Sequence, residues 1–349
     1  MFKKVDRFKQ TLLVIIKDPN KKPLSTILRE SFNFWITKKE FPYFYFIKFL
    51  YRKETNNYTD YLSSREVDII TLSKKLHLQK HFLILRNKLT FAEVMKKNNI
   101  VTPYLIGHNF GHEFYYENNC FKIQDENELQ SHFLKLFETT GHSKIFVKSM
   151  TEMGGKGVFL ISKKTLQNDI ERYGNYILKN DCIHQEAITQ HAFINKIYPD
   201  SLNTMRFFTY LDKKDKIHIV SAYMRFGQGG SFLDNSSSGG FYVKVNIENG
   251  KLEGKSYQLM RYGGKRLAAH PDTNTEFEGY SLPFFEETIV LVHKCVYTIP
   301  DKIIGWDIGI SDKGPVVIEG NDNVGLMGPD LINKGLCRHP MYKEILEEA

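Results

Sequence analysis

Cysteine is scarce, with four in 349 residues. Cys120, Cys182, Cys295 and Cys337 lie far apart, and no two stand at zinc-ligand or redox-pair spacing, so the plain expectation is reduced thiols in the cytosol. Long apolar runs are missing too. Nothing approaches the roughly 18 residues of a membrane span, and Leu12 to Ile16 is too short for a signal-peptide core, with no small-residue cleavage site behind it. These absences predict a chain that stays in the cytoplasm. The glycine-rich stretch Gly154-Gly155-Lys156-Gly157 is not a Walker-type phosphate loop, since it has no Gly-Lys-Ser/Thr leading into a helix. Neither a Ser-His-Asp set nor a nucleic-acid-reading motif stands out, and nucleic acid is not expected as a partner. Repeats are absent, and low complexity is confined to Ser236-Ser237-Ser238-Gly239-Gly240.

With 42% hydrophobic and 25% charged residues, the composition is that of an ordinary soluble globular protein, and the length allows two or three domains. Strand-like and helix-like segments alternate, which predicts an α+β fold. The chain divides into a basic, mostly helical region at 1–85, a linking region at 86–140, a unit at 141–195 and a larger unit at 196–349. The formal charge of +8 is unevenly spread. Residues 1–55 hold 13 Lys or Arg against 5 Asp or Glu, while the remainder holds 35 of each sign. This basic segment includes the aromatic run Phe41-Pro42-Tyr43-Phe44-Tyr45-Phe46. It suits either peripheral contact with an anionic membrane surface or a helical subdomain with aromatic core and solvated lysines. Leu24, Ile27, Leu28, Phe32 and Trp35 recur there at helical spacing after Pro23, and the region reads as an N-terminal appendage.

The most informative stretch is Ile304 to Asn321. Two β-rich runs flank Asp312-Lys313-Gly314, where Gly314 can take the left-handed conformation of a three-residue hairpin loop and Pro315 opens the second strand. With that loop Ser311 pairs with Pro315, and counting outwards sets Asp307 opposite Glu319. Alternation then sends Ile308, Ile310, Val316 and Ile318 to one face, and Asp307, Gly309, Glu319 and Asn321 to the other. Carboxylates directly opposite each other repel, so stability gives no reason for such a pairing. Two carboxylates and an amide oxygen on one face suit Mg²⁺, which takes its remaining ligands from water and phosphate. A polar hairpin face that is simply wet is the alternative.

Elsewhere the chemistry is more scattered. Thr90 and Glu93 read as a capping box for a helix ending near Asn99, with Lys88 just ahead of it. Lys144 to Lys148 and Val158 to Ile161 read as strands joined by a loop containing Gly154-Gly155-Lys156-Gly157, whose backbone can approach phosphates closely. Lys148 ends an apolar strand, where an inward-facing ammonium needs an anion or an acceptor nitrogen. Ile183-His184-Gln185-Glu186-Ala187-Ile188 is a short strand breaking into a connector. Leu202 to Leu211 and Lys216 to Phe226 form a hairpin carrying Arg206 and Arg225 among apolar neighbours, either phosphate-binding forks or edge-strand ion pairs. A glycine- and serine-rich loop with Asn235 runs to Gly240, and Asn249-Gly250 turns the next hairpin. Arg261 to Gly279 is a loop around His270-Pro271-Asp272, Pro283 opens a helix through Val292 and Val296, and the turns after Gly325 read as peripheral.

Taken in order, a lysine at a strand end, a glycine-rich flap, a Gln-Glu-x-Ile connector, strand arginines, and Asp followed at twelve residues by Glu-x-Asn resemble the ATP-grasp superfamily. From Arg86 onwards the chain resembles its sugar-transfer associated branch. The branch's flavour is in Ser201-Leu202-Asn203-Thr204-Met205-Arg206, in Asp234-Asn235 with Gly239-Gly240, in His270-Pro271-Asp272, and in Gly305-Trp306-Asp307 with Glu319-Gly320-Asn321. The resemblance implies ATP held between two antiparallel sheets. Lys88 and Lys148 would lie near its phosphates and adenine, and Gly154, Gly155, Lys156 and Gly157 would close over the phosphates. Gln185, Glu186, Ala187 and Ile188 would form the adenine hinge, with His191 or Asn195 near the ribose and Asn235 beside the nucleotide. Asp307, Glu319 and Asn321 would hold Mg²⁺, and Arg206 and Arg225 would act on the triphosphate or acyl phosphate. His270, Gly239 and Gly240 would meet the other substrate.

The expected activity is then an ATP- and Mg²⁺-dependent carboxylate–amine ligase, in which the substrate supplies the nucleophile and the protein supplies position and charge neutralisation. The branch implies a uronic acid or amino sugar of surface polysaccharide, a small-molecule or lipid-linked sugar carboxylate, to be joined to an amine. The alternatives are a sugar or small-molecule kinase using the same ATP site, and a non-catalytic carbohydrate-binding relative.

Overall fold

Apolar alternation along twelve strands builds two antiparallel sheets of six strands each in the computed structural model, which describes residues 11–349. The first ten residues of the basic segment lie outside the described residues. The first sheet contains β1 (Leu105–Phe110), β2 (Glu113–Tyr116), β3 (Asn119–Lys122), β4 (Lys144–Ser149), β5 (Val158–Ser162) and β6 (Cys182–Glu186), in the order β3-β2-β1-β6-β4-β5. Its strands come from both sides of residue 140, so the division drawn there in the sequence runs through one sheet. Two helices, Glu126–Thr140 and Leu166–Lys179, cover one of its faces. Leu129, Phe133 and Ile170 on the helices interlock there with Ile145, Val147 and Ile161 on the strands. Asp125 caps the first helix by accepting from the Asn127 and Glu128 N–H groups, and Gly141 ends it in the left-handed region.

The second sheet contains β7 (Thr204–Leu211), β8 (Ile217–Phe226), β9 (Phe241–Val245), β10 (Leu252–Gln258), β11 (Ile303–Ser311) and β12 (Gly314–Asn321), in the order β10-β9-β8-β7-β11-β12. The helix Phe285–Thr298 packs Val292, Cys295 and Val296 under β11, against Ile304, Ile308 and Ile310. Together the two sheets and their helices give the expected α+β architecture.

The N-terminal region is not an appendage. Tyr45, Leu50 and Tyr51 are fully buried and cluster with Tyr223 on β8 and Tyr242 on β9. Its cations serve the same packing: Lys22 meets Glu30 at 2.6 Å and Arg52 meets Asp18 at 2.7 Å, both pairs buried. The predicted helix is present at Leu24–Lys38, but its buried side is Ile27 and Phe34, while Leu24, Leu28, Phe32 and Trp35 face outwards. The turns after Gly325 are not peripheral either. The helix Met327–Ile332 is buried from Gly328 to Ile332, and Asp330 pairs with Lys48 inside the protein. A further boundary moves: the helix expected from Thr90 begins at Lys88. Asn87 is its cap, the side-chain oxygen accepting from Leu89 and Thr90 N–H at 3.0 Å.

Candidate active site

The β11–β12 hairpin brings Asp307 opposite Glu319, by a route the sequence count misses. The loop is two residues, not three: Ser311 pairs with Gly314 and Ile310 with Pro315. A register shift between Asp307 and Ile308 then leaves one extra residue in β12, a β-bulge at Ile318, and restores the Asp307–Glu319 pairing. The bulge also reverses parity across it. Val317, not Ile318, joins Ile308 and Ile310 in the core. Ile318 turns to the carboxylate side, where a methyl group added at Gly309 would lie 3.4 Å from its side chain. The wholly aliphatic face expected for Ile308, Ile310, Val316 and Ile318 is corrected accordingly.

A cleft of about 570 Å³ opens between the sheets, with Asp307, Glu319 and Asn321 along its floor. Arg206, on the adjacent strand β7, sits directly opposite Asp307. Its guanidinium grips that carboxylate with Nε on Oδ1 and Nη2 on Oδ2, and Nη2 of Arg225 reaches Oδ2 at 2.9 Å. Burial alone would raise the Asp307 carboxyl, but the two guanidiniums outweigh it and hold it at about 2. Burial and the neighbouring Asp307 charge instead push Glu319 up. Two lysines share the cleft with these acids, Lys148 from β4 of the first sheet and Lys88 from the start of the helix Lys88–Lys97. Burial pulls the Lys148 ammonium down to about 8, against the opposing influence of Glu319. The ammonium donates to Gln185 Oε1 at 3.0 Å, an acceptor but not an anion. Lys88 is likewise lowered by burial and donates to the Glu152 carbonyl at 2.6 Å.

The donor set fits a hard dication. Asp307 receives three N–H donors, and a carboxylate offers about four lone-pair directions. Asn321 donates its amide protons to Glu319 Oε1 at 3.1 Å and the Gly305 carbonyl at 3.4 Å, which leaves its carbonyl oxygen as the ligating atom. Among the described residues, no three His, Cys, Asp or Glu side chains gather into a metal cluster. Asp307, Glu319 and the Asn321 amide are the residues that could hold a hard cation here, which would draw the rest of its ligands from water and phosphate. Above the floor, Phe146, Ile188, Leu202 and Ile318 supply apolar walls suited to a planar ring.

The loop between β4 and β5 carries Gly154, Gly155 and Gly157 at positive φ, a backbone that other residues rarely adopt. Gly154 and Gly155 line the cleft, and a Cβ on Gly155 would come 3.2 Å from the Asn235 side chain, so the flap meets the serine-rich loop across the opening. Lys156 is exposed and outside the cleft lining. Gly157 packs at the flap's base, where a Cβ would strike the Tyr176 hydroxyl at 2.5 Å. Of the connector, Glu186 and Ile188 line the cleft, with the Glu186 carboxylate accepting the Tyr104 N–H at 2.8 Å. Gln185 sits in a small hollow behind, and Ala187 lines a neighbouring one.

Four further sequence candidates also lie outside the cleft lining. His191 caps the helix Ala192–Ile197 by accepting the Phe193 N–H at 3.1 Å, and it does not line the cleft. His270 is fully buried: it stacks on Tyr198, bonds the Gly227 carbonyl at 3.0 Å and braces the loop, a structural position rather than a substrate contact. Gly239 and Gly240 turn the chain beneath the serine-rich loop. A Cβ at Gly240 would stand 2.6 Å from the Asp234 and Phe226 carbonyl oxygens, so glycine is needed there for backbone packing.

Several residues of the cleft carry no role in the sequence reading. Asp234, quoted there only for the family resemblance, is the main one: it lies 3.4 Å from Arg225 Nε and accepts from the Thr204 N–H at 2.9 Å, and Thr204 Oγ1 also accepts from Arg225. Arg225 is thereby clamped between Asp307 and Asp234. The available signal was composition, since Asp234 is the lone acid between Gly227 and Gly240. Tyr223, Tyr242, Met327 and Gly328 close the far end of the cleft.

Solved structures with a related arrangement include D-alanyl-alanine synthetase A from Vibrio cholerae O1 biovar eltor, at 12% identity and a TM-score of 0.45 over 76% of this chain and 64% of that one. D-alanine–D-alanine ligase from Bacillus anthracis matches at 12% and 0.42, over 76% and 67%. N5-carboxyaminoimidazole synthetase from Staphylococcus aureus, complexed with ADP, matches at 11% and 0.38, over 68% and 44%. The chain thus spans less than two thirds of the length of the first of these enzymes. No curated protein matches the sequence. The family model for sugar-transfer associated ATP-grasp proteins matches residues 69–343, which takes in both sheets and every cleft residue described above, and the chain belongs to that family.

Proposed function

We propose that this chain is an ADP-forming ligase that joins a carboxylate to an amine at the expense of ATP. One observation carries the reading: Arg206, Arg225, Lys88 and Lys148 gather around the Asp307–Glu319 pair in a single cleft. No activated protein nucleophile accompanies them among the described residues. The thiols of Cys182 and Cys295 are buried and pushed up to about 12 by that burial. In the first step a carboxylate oxygen of the substrate attacks the γ-phosphorus, the bond to the β-phosphate oxygen breaks, and ADP leaves with the electron pair. In the second, the amine nitrogen attacks the acyl carbon, the carbon–oxygen bond breaks, inorganic phosphate leaves, and the nitrogen gives up a proton. Arg206 and Arg225 neutralise the transferring phosphoryl group, and Lys148 and Lys88 hold the phosphates while the flap excludes water. Mg²⁺ held by Asp307, Glu319 and the Asn321 oxygen would spread positive charge over the phosphate oxygens. The family's sugar-transfer association supports a uronic acid or amino sugar of surface polysaccharide as the acceptor class.

The test is incubation of the full chain with ATP, Mg²⁺ and a panel of uronic acids and amines, read by mass spectrometry. Equal amounts of ADP and free phosphate, with a product of the summed substrate masses less water, are expected. A phosphorylated product without free phosphate would make it a kinase. Nucleotide binding without ADP release would make it a binding protein.

A further inference from the structure

The helix Leu24–Lys38 is apolar on two sides. With each residue turning about 100°, Ile27 and Phe34 share the inward side, where they pack in one cluster with Tyr45, Tyr223 and Tyr242. The adjoining side carries Leu24, Leu28, Phe32, Trp35 and Ile36, each between 51% and 71% exposed. Phe32 and Trp35 meet edge to face with 6.4 Å between ring centroids. Phe41, 72% exposed, extends the ridge past the helix end. Soluble surfaces seldom gather so many large apolar side chains without covering them.

The surrounding charge identifies the cover. Every acid of residues 11–55 is engaged internally: Asp18 by Arg52, Glu30 by Lys22, Glu40 by the Ser64 N–H, and Glu54 by Arg266. Lys17, Lys21, Arg29, Lys39 and Lys53 have no carboxylate partner among the described residues. Of these, Arg29 on the helix itself and Lys39 at its C-terminal cap lie beside the ridge, and the remaining cations add to the positive charge of the same segment. We propose that this face docks on an anionic lipid bilayer, its apolar side chains entering the headgroup boundary and its cations meeting the lipid phosphates. A second copy of the chain would bring like charges together. No helix among the described residues is long and apolar enough to cross a membrane, so the contact is peripheral. The bilayer would lie one helical layer from the cleft end lined by Tyr223 and Tyr242.

The molecule contains its own probe. It has two tryptophans, Trp35 at 51% exposure and Trp306 at zero. Full-length protein titrated with phosphatidylglycerol–phosphatidylcholine vesicles should show a blue shift of Trp35 emission and co-sediment with the lipid. Trp35→Phe should co-sediment without the shift, and Leu28→Glu with Phe32→Glu should weaken co-sedimentation at least tenfold while keeping the wild-type circular dichroism spectrum. Pure phosphatidylcholine should bind far more weakly. Equal binding to both vesicle types, no binding to either, or a lipid-free dimer that the double variant dissociates would overturn the proposal. None of these readouts requires turnover, so they stand apart from the ligase assay.

Discussion

Two aspartates are buried to the same degree and paired with cations, yet only one belongs to a site. Asp330 meets Lys48 and accepts from Leu62 N–H at 3.1 Å and Leu336 N–H at 2.7 Å, while Lys48 also donates to the Leu62 carbonyl at 2.7 Å. Both partners find their hydrogen bonds inside the protein, and the cluster joins the N-terminal region to the tail helix. Asp307 is held just as tightly by Arg206 and Arg225, but its surroundings do not close. Glu319 stands opposite with its carboxyl pushed up by burial and by Asp307, Lys148 has only an amide oxygen for a partner, and all of them face a cavity. Completeness of the internal partners, rather than burial, separates the Asp330 cluster from the proposed site at Asp307.

The largest expected effect sharpens that contrast. Glu319→Gln removes a carboxylate the fold does not need, so ADP production should fall by about a thousandfold or more, while the melting temperature holds or rises as the Asp307–Glu319 repulsion is relieved. Near-normal turnover would take Glu319 out of the mechanism. Asp330→Asn should do the reverse. It strands Lys48 in the interior, at a cost of about 3–5 kcal/mol in urea unfolding, with turnover per folded molecule little changed. An unchanged unfolding midpoint would break the comparison.

Lys148 offers a smaller and reversible effect. Its ammonium titrates near pH 8 because burial disfavours the charge. The protonated form is the one that attracts phosphate, so nucleotide affinity measured by calorimetry should be full at pH 7 and decline by about tenfold as the group loses its proton above pH 8. Lys148→Arg keeps the charge at all these pH values and should flatten the profile. A decline that persists in the arginine variant would assign the titration to another group.

Much of this site was legible in the sequence, though not always for the right reason. Asp307 and Glu319 were placed opposite each other by a loop one residue too long and a bulge not foreseen; the two errors cancel at 307–319 but not between them, so Val317 and Ile318 exchange faces. Parity counting cannot see a bulge, because the extra residue is absorbed locally. Arg206 and Arg225 were visible as charges among apolar strand residues, whereas Asp234, which anchors Arg225, sits in an irregular loop where no period applies. His270 and His191 were singled out as site residues on resemblance, and the structure uses one as a core brace and the other as a cap. Helical spacing marked Leu24 to Trp35 as amphipathic. A helix apolar over two adjoining sides does not reveal which side the core takes.

Asp301 gives the last test, as a buried carboxylate with neither a guanidinium nor a cavity. Its Oδ1 accepts from Leu78 N–H at 2.8 Å and Lys302 N–H at 3.0 Å, while Oδ2 has no partner among the described residues. Burial pushes its carboxyl up from 3.8 to about 6. The folded state then holds a proton that the unfolded chain has released, so Asp301 favours folding below about pH 4 and that contribution is lost as pH rises through 6. Asp301→Asn keeps the Oδ1 acceptor and removes the titration. Compared across pH 4 to pH 7.5 in urea, the wild type should lose about 2 kcal/mol relative to the variant. A constant difference would mean that Asp301 ionises freely in the fold. Burial without an arginine would then not suffice to perturb a carboxyl here, and the contrast between Asp307 and Glu319 would need a cause beyond their unequal contact with Arg206 and Arg225.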